Sequence, residues 1–340
     1  MKMKTIWCHP WAMNIKSTKP KIILDTDPGG DDSFALLWLQ SLAKQGLGEI
    51  VAITTTAGNV SARNTFLGAS KLLQLGGFGH VEVGRGSSRI TQTELEDAAH
   101  IHGADGMGNL SQTLPDIPTS YDTARPSDQI LIEKLRQMPG EITVVAIGPL
   151  TNLAAAEQQV PGILKNAREI VIMGGAFQVH GNVTSEAEFN IAFDPEAAEI
   201  VFASREDLVV IPLDVTQHLI FTPHLAQQVS QVNPQSAIAQ FMTKLCDFLT
   251  TTSLAYRDTQ GVTGFLVHDA ATLAYLFYPK TLRFQRAHVL VETQGNWTRG
   301  KTLFDQRHVA KQSANAWVAS SVESVHLLAG IVEDLKRLIA

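Results

Sequence analysis

The sequence is poor in cysteine and has no long apolar run. Its 340 residues include only two cysteines, Cys8 and Cys246, and neither lies in a Cys-x-x-Cys pair. This excludes a disulfide framework and a cysteine-ligated zinc site. No segment reaches the length of a transmembrane helix, and the positively charged start lacks the continuous apolar stretch of a signal peptide. We therefore expect a cytoplasmic protein with a flexible leader over residues 1–20.

The sequence also lacks an excess of positive charge. It has 27 Lys and Arg against 33 Asp and Glu, a formal net charge of -6, and no basic cluster stands out. Proteins that bind nucleic acids or anionic membrane surfaces carry such clusters. We therefore expect a small-molecule partner, with no nucleic acid and no membrane.

Short apolar runs alternate with helical patterns along the first two thirds of the chain. KIILD, EIVAITTTAG, VEVG, EITVVAIG, EIVIMGG and LVVIPLD are typical of buried strands, and amphipathic segments separate them. Continuous apolar strands of this kind indicate a parallel sheet covered on both faces. The predicted fold is α/β and Rossmann-like, a mainly parallel central sheet flanked by helices, in one domain over residues 21–340. From Pro223 onward the pattern becomes largely helical, with a hairpin expected near AHVLVETQG and HVAKQ.

Polar or glycine-rich segments follow every predicted strand. In chain order they are Asp25 to Asp32, Asn59, HIHGADGMGN, GPLTN, GNVTSEAEFN and Asp214. The ligand sites of open α/β sheets lie beyond the carboxyl ends of the strands. We therefore expect these segments to form one composite pocket.

The segment DTDPGGDD, residues 25–32, places four carboxylates around a Pro-Gly-Gly turn. Carboxylates this close repel one another unless a cation neutralises them, and hard oxygen ligands suit Ca²⁺ or Mg²⁺ better than zinc. The alternative is structural, with Asp31 and Asp32 at the N-terminus of the next helix and Asp25 or Asp27 capping a turn. Four carboxylates in one turn favour the metal.

Six segments resemble a known family in their order and spacing. They are DTDPGGDDSFALL, HGADGMGN, GPLTNLA, IVIMGGAF, GNVTSEAEFNIAFDPEAA and VHDAA. From about Lys21 almost to the C-terminus the chain resembles the nucleoside hydrolases that cleave N-ribosides, including the inosine-uridine preferring enzymes. The combination of DTDPGxDD with AEFNIxxDPEAA is highly specific, whereas GPLTN alone is weak. The resemblance implies the nucleoside hydrolase fold and Ca²⁺-dependent hydrolysis of ribonucleosides to ribose and free base.

The resemblance also implies a set of metal ligands. The carboxylates of Asp27, Asp32 and Asp269 and the main-chain carbonyl of Ile147 match the family's Ca²⁺ ligands. Water and the ribose hydroxyls complete the oxygen shell that Ca²⁺ prefers. Asp27 is implied in addition as the general base that takes a proton from the attacking water.

Further positions match the family's contacts to the nucleoside. Asp31 and Asn190 are implied to bind the 2′- and 3′-hydroxyls, and Asn182 and Glu188 the 5′-hydroxyl. Met173 is implied to pack against the sugar. Neighbouring carboxylates suit this chemistry, because the sugar becomes positively charged as its bond to the base breaks.

Asn59 and two histidines match positions near the base. His268 matches the family's candidate general acid and His102 a second histidine that faces the base, and imidazole donates near neutral pH. The alternative for His268 is a hydrogen-bonded core residue within GFLVHDAA. Tyr256 matches an aromatic group that closes over the base, but the family's second aromatic position falls at Thr252.

Two other functions fit parts of the pattern. A haloacid-dehalogenase-type phosphatase would use Asp25 as its nucleophile, but Gly29 replaces the hydroxyl or β-branched residue of that loop. A non-catalytic calcium- or ribonucleoside-binding protein would keep the pocket without needing Asp27 and His268, and both are present. The family resemblance further implies a homodimer or homotetramer.

Overall fold

The computed structural model describes residues 19–87, 96–305 and 312–340 of the chain. The strands in these ranges are β1 (Lys21–Thr26), β2 (Glu49–Thr55), β3 (Val83–Gly84), β4 (Ile142–Ala146), β5 (Glu169–Met173), β6 (Leu208–Ile211), β7 (Ile220–Phe221), β8 (Phe265–Leu266), β9 (Leu282–Ala287), β10 (Val289–Val291), β11 (Thr302–Phe304) and β12 (Ala316–Val322). The expected leader falls almost wholly outside the described residues, as does Cys8.

Helices connect most of the strands. They are α1 (Gly30–Lys44), α2 (Ala62–Gly76), α3 (Ala99–His102), α4 (Ser127–Gln137), α5 (Thr151–Gln159), α6 (Phe189–Phe193), α7 (Pro195–Ser204), α8 (Leu213–Thr216), α9 (Pro223–Ser230), α10 (Ala237–Tyr256), α11 (Ala270–Phe277) and α12 (Ser324–Ile339). In the described ranges no helix combines the length and the apolar character needed to cross a membrane.

Eight strands form the central sheet in the order β3-β2-β1-β4-β5-β6-β12-β9. All neighbours run parallel except β12 and the edge strand β9, so the prediction of a mainly parallel sheet is confirmed. The chain builds from β1 to β3 on one side and then returns to place β4 on the other side of β1. Such a switch point opens a crevice at the carboxyl ends of the strands. The segments that follow β1 and β4 therefore lie on either side of that crevice.

The two faces of the sheet carry separate hydrophobic clusters. Ile22 and Leu24 of β1 belong to one cluster and Ile23 to the other. Successive side chains of a strand point to opposite faces, so a strand buried on both faces needs apolar residues at every position. This is why the strands read as continuous apolar runs.

The last third of the chain contributes more strand than its sequence pattern indicates. β9 and β12 belong to the central sheet, whereas the pattern predicts no sheet strand after Pro223. Directly after β12 ends at Val322, the C-terminal helix α12 begins at Ser324. β10 pairs with β11 in a separate hairpin. The segment HVAKQ, expected as the second hairpin strand, lies almost entirely outside the described residues.

Candidate active site

The carboxylate segment begins where β1 ends and becomes the first turn of α1. Gly29 caps this helix without a side chain, and the Asp32 carboxylate instead accepts the Gly29 N–H at 3.0 Å. Asp27 and Asp32 are almost completely buried, and Asp31 is 8% exposed. Asp31 and Asp32 therefore lie at the N-terminus of α1, as the structural alternative expects, alongside an unusual concentration of buried carboxylates.

Asp32 is held by four hydrogen bonds. Its Oδ1 accepts from Thr26 Oγ1 at 2.6 Å and from the Asp27 N–H at 3.2 Å. Its Oδ2 accepts from the Gly29 N–H and from Asn59 Nδ2, the latter at 2.9 Å. Burial raises the pKa of Asp32, and the hydrogen bonds oppose that rise because they favour the ionised form. Four donors fill the usual accepting capacity of a carboxylate, so a cation at Asp32 would replace one of them.

Asp27 has an oxygen with no partner. Its Oδ2 accepts the Asn59 N–H at 2.7 Å, whereas its Oδ1 is buried without a hydrogen-bond donor. Burial, and next the charge of Asp32, raise the pKa of Asp27 well above its usual value. A Cβ atom at Gly58 or Gly148 would overlap with this carboxylate. The two glycines therefore create the space that Asp27 occupies, a role that the sequence patterns do not reveal.

Asp269 joins this group from the other end of the chain. It lies just before α11, and its carboxylate, with those of Asp31 and Asp32, offers oxygens within 4.8 Å of one another. Burial raises the pKa of Asp269, and so do the charges of Asp31 and Asp32. In the part of the chain that the structure describes, no Lys or Arg forms an ion pair with these carboxylates. Asp27 is outside the triplet but is joined to it through the hydrogen bond from its N–H to Asp32.

The buried negative charge fits a hard divalent cation. Carboxylates that share a site without a positive side chain favour neutralisation by an ion, and an all-oxygen set suits Ca²⁺ or Mg²⁺. The unpartnered Oδ1 of Asp27 is a ready ligand atom. The residues present are therefore compatible with the metal that the sequence predicts.

The amide of Asn190 links the ends of β4 and β5. Its Nδ2 donates to the main-chain carbonyls of Ile147 at 2.9 Å and Met173 at 3.2 Å. These two carbonyls thus fix the amide, whose Oδ1 receives no hydrogen bond from a described residue. The structure therefore places Ile147, Met173 and Asn190 together, and Asn190 keeps an acceptor for a ribose hydroxyl.

Glu188 and Asn182 both bind main-chain N–H groups. The carboxylate of Glu188 caps α6, accepting the Asn190 N–H at 2.9 Å, and also accepts the Gly175 N–H at 3.0 Å. Glu188 is 2% exposed, and burial raises its pKa. Asn182 is exposed, with its Oδ1 accepting the Phe189 N–H at 2.9 Å. A 5′-hydroxyl would thus meet one buried and one exposed group.

His102 is fixed by the turn that begins α1. The Gly30 N–H donates to His102 Nδ1 at 3.0 Å. A main-chain N–H can only donate, so the neutral ring must carry its hydrogen on Nε2. Burial, with smaller contributions from His268 and His100, lowers the pKa of His102 to about 4. Near pH 7 the ring is therefore neutral and offers an Nε2–H donor.

The ring of His268 is held by a hydrogen bond. Its Nδ1 lies 2.7 Å from Thr216 Oγ1, and the main-chain N–H of His268 opposes the rise in the pKa of the neighbouring Asp31. Burial lowers the pKa of His268 to about 4. The ring is half-buried, so it is neither a fully enclosed core residue nor a free surface group.

Tyr256, at the C-terminus of α10, faces the segment that carries His102. It is 52% exposed and packs edge-to-face on His100 with ring centroids 5.4 Å apart. The hydroxyl of Thr252 donates to Phe248 O of its own helix at 3.1 Å. Thr252, which stands at the position of the family's second aromatic group, therefore hydrogen-bonds its side-chain hydroxyl to the helix backbone. The ring that packs next to Tyr256 is that of His100.

Comparisons with known proteins agree with this fold. Residues 22–329 match the model of the inosine-uridine preferring nucleoside hydrolase family. Probable uridine nucleosidase 1 of Oryza sativa subsp. japonica is 36% identical over 329 residues, which cover 93% of this chain and 97% of that protein. An inosine-uridine preferring nucleoside hydrolase of Leishmania major is 33% identical, with 94% of this chain and 98% of that protein covered.

A solved structure has a similar fold. The purine-preferring ribonucleoside hydrolase from Gardnerella vaginalis matches with a TM-score of 0.85 at 29% identity, covering 94% of this chain and 99% of that one. The names of these three proteins refer to uridine, to inosine and uridine, and to purines. Proteins similar to this chain thus differ in the base for which they are named.

Proposed function

The chain belongs to the family of inosine-uridine preferring nucleoside hydrolases, and from that membership we propose a Ca²⁺-dependent reaction with Asp27 as the general base. Hydrolysis of the N-glycosyl bond of ribonucleosides follows from the family itself. The ion, the residue roles and the subsites are our proposal.

The observation that carries the proposal is the buried group of carboxylates, with which no Lys or Arg of the described ranges forms an ion pair. Asp27, Asp32 and Asp269, with the carbonyl of Ile147, would hold Ca²⁺. When bound, such an ion supplies positive charge that lowers the pKa of a water and binds the ribose hydroxyls. The position of the group at the switch point of the sheet supports a substrate site there.

The roles of the carboxylates follow from their hydrogen bonds. Asp27 Oδ1 accepts a proton from the attacking water with one lone pair and keeps its second lone pair for the ion, because the other oxygen of Asp27 is already bound to the Asn59 N–H. The water oxygen bonds to the anomeric carbon while the electrons of the C–N bond move to the base. The negative charges of Asp31 and Asp269 stabilise the positive charge that develops on the sugar.

The remaining polar groups orient the nucleoside. Asp31 and the free Oδ1 of Asn190 accept from the 2′- and 3′-hydroxyls, and Glu188 with Asn182 binds the 5′-hydroxyl. Met173 packs against the sugar. Each of these side chains except Asn182 is at least nine-tenths buried, so the ribose is held by groups that are already ordered.

The base is bound and activated from the opposite side. His102 and His268 donate hydrogen bonds to the departing base, Asn59 lies between ribose and base, and Tyr256 closes over it. His102 is best supported in this role, because the Gly30 N–H leaves only its Nε2–H for the substrate. The pair of histidines thus assists base departure near neutral pH.

Release of reducing sugar from inosine, adenosine, guanosine, uridine and cytidine tests the proposal. We expect release by the native chain that a chelator abolishes and Ca²⁺ restores. Asp27→Asn should abolish turnover with little change in folding, because it keeps the side-chain shape but removes the base. The exposed Asp116→Asn is the matched control and should behave as the native chain. Undiminished turnover in Asp27→Asn would refute its role.

The same experiment separates the alternatives. If no nucleoside is cleaved while calorimetry shows Ca²⁺-dependent binding of ribose, the non-catalytic binding function becomes the better account. The ranking of the five nucleosides gives the base preference. A homodimer or homotetramer stays a prediction, which sedimentation of the full chain would test.

A further inference from the structure

Thr216 contacts His268 from a position that no sequence motif singles out. It ends α8, the short helix that follows β6, and it is completely buried. Its Oγ1 lies 2.7 Å from His268 Nδ1, and no other described residue hydrogen-bonds this hydroxyl. Among the described residues, Thr216 is the hydrogen-bond partner of the His268 ring, so this contact fixes the orientation of the ring.

The burial of Thr216 determines the direction of this hydrogen bond. A hydroxyl has one hydrogen to donate, and a neutral imidazole has one donor and one acceptor nitrogen. If His268 Nδ1 donated, the hydroxyl hydrogen of Thr216 would be buried without an acceptor, which costs about 1–3 kcal/mol. If Thr216 donates, its hydrogen is bonded, and His268 carries its own hydrogen on Nε2. The second arrangement leaves no buried donor without a partner.

The other histidine of the site has the same arrangement for an independent reason. His102 Nδ1 accepts the Gly30 N–H, which cannot reverse its direction. Both rings are therefore bound at Nδ1 by a donor from the protein. Each then keeps an Nε2–H that no described residue accepts.

We propose that Thr216 is a positioning residue that fixes His268 as the Nε2–H tautomer, so that this ring donates a hydrogen bond to the leaving base. The inference rests on the proposed function of His268. As the C–N bond breaks, its electron pair moves to the base, and the Nε2–H hydrogen bond stabilises the negative charge that develops there. In the other tautomer Nε2 would present a lone pair to that charge.

The kinetic test compares two variants of Thr216 on two kinds of substrate. Thr216→Val keeps the branched shape but removes the hydroxyl, and Thr216→Ser keeps the hydroxyl. We expect Thr216→Val to lower kcat for natural nucleosides on the order of 10- to 100-fold with little change in KM. A p-nitrophenyl riboside, whose leaving group needs no assistance, should be affected far less, and Thr216→Ser should restore the natural reaction. Equal losses on both substrates, or a serine variant as slow as the valine variant, would overturn the inference.

Histidine ¹⁵N NMR of the full chain with Ca²⁺ tests the tautomer without turnover. We expect the native His268 signal to report a hydrogen on Nε2 and the Thr216→Val signal to shift toward a mixture, with His268→Ala used for assignment. A native Nδ1–H tautomer would overturn the role of Thr216 alone. Fast hydrolysis of natural nucleosides by His268→Ala would instead refute the proposed function of His268. Thermal melts of each variant confirm that the comparison is made on folded protein.

Discussion

At the scale of single residues, the candidate site depends on two positions without side chains as much as on its carboxylates. Gly58 and Gly148 lie against Asp27 so closely that neither position has room for a side chain. The space they leave lets Asp27 turn one oxygen to Asn59 and keep the other free. The proposed catalytic base thus depends on two residues that carry no chemistry of their own.

We predict that Gly148→Ala damages catalysis more than folding. The new methyl group would overlap with Asp27 Oδ1, so the carboxylate must move. Misplacement of a reacting group by about 1 Å lowers rates roughly 100-fold, and we expect a loss of kcat of that order. Steady-state kinetics and a thermal melt of the same preparation measure the two effects.

Gly48→Ala is the matched control for that substitution. Gly48 precedes β2, at the end of the sheet opposite to the site, and a Cβ atom added there would first meet the ring of Phe277, at 3.1 Å. We expect a modest loss of stability and native turnover. Native turnover in Gly148→Ala as well would show that Asp27 tolerates displacement.

The sequence predicts the charged residues of the site better than their supports. Motifs single out Asp27, Asp32 and Asp269, which are buried in the structure, because the chemistry proposed for them needs one residue type at one spacing. Gly148 and Thr216 act through space on residues distant in the chain, and spacing along a sequence carries no such information. Their contributions become visible only in the folded structure.

At the scale of elements, one carboxylate organises the turn after α3. Asp105 Oδ1 accepts the N–H groups of Met107 and Asn109, and its Oδ2 accepts that of Ser111, each at 2.8 Å. Partial burial raises the pKa of Asp105, but these hydrogen bonds outweigh it and the net pKa lies below the usual value. The segment that holds His102 thus ends in a turn closed by charge-assisted bonds.

We predict that Asp105→Asn loosens this turn. An amide offers one acceptor oxygen where the carboxylate offers two, so at least one main-chain N–H loses its partner. Amide hydrogen exchange of Met107, Asn109 and Ser111 should accelerate, while Asp116→Asn, at an exposed position, should leave it unchanged. Unchanged exchange in Asp105→Asn would show that the turn holds without the charge.

The same carboxylate gives an acid-sensitive turn. A group whose folded-state pKa is lowered contributes stability above its ordinary pKa, and that contribution is lost as the pH falls through the lowered value. Protection of the turn amides in the native chain should therefore decrease below about pH 4, the ordinary value of Asp. Exchange rates corrected for intrinsic pH dependence measure this, and the Asp105→Asn variant should not show the transition.

α12 is anchored to α1 by a buried carboxylate. Asp334 accepts from Trp38 Nε1 at 2.9 Å, Tyr278 Oη at 2.7 Å and Gln45 Nε2 at 3.1 Å. Asp334 is 2% exposed and Trp38 is completely buried. The C-terminal helix thus meets the helix that begins with the carboxylate segment at a polar contact inside the core.

We predict that Asp334→Ala lowers the free energy of unfolding by about 2–4 kcal/mol, because it leaves buried donors without an acceptor. Urea unfolding measures this as a lower midpoint. Glu333→Ala, the adjacent position on the same helix with a side chain 64% exposed, should change stability by less than about 0.5 kcal/mol. Equal midpoints for the two variants would contradict the anchoring role.

At the scale of the whole molecule, the order of the sheet brings distant segments together. The first part of the sheet could be predicted from the sequence, because its strands are apolar throughout and alternate with helices. β12 could not, since it pairs with β6 more than 100 residues earlier and only Glu323 separates it from α12. Local periodicity contains no signal for such a partner, and the apolar residues of β12 and α12 merge into one pattern.

A cation that joins these distant segments should stabilise the entire fold, and this gives the last prediction. Asp27 and Asp269 lie 242 residues apart in the chain, so an ion bound to both would link the segment after β1 to the turn before α11. A ligand that binds only the folded state at 100 times its Kd adds about 2.7 kcal/mol of stability. We therefore expect Ca²⁺ to raise the Tm of the chelator-treated native chain, and Mg²⁺ to raise it less, because the smaller ion dehydrates reluctantly and prefers fewer protein ligands. Asp269→Asn should remove most of the Ca²⁺ effect, whereas Asp116→Asn should retain it, since Asp116 is exposed and outside the carboxylate group. A native Tm that does not respond to Ca²⁺ would mean that the buried carboxylates are neutralised by protons instead. The proposed role of the metal in the reaction would then be refuted.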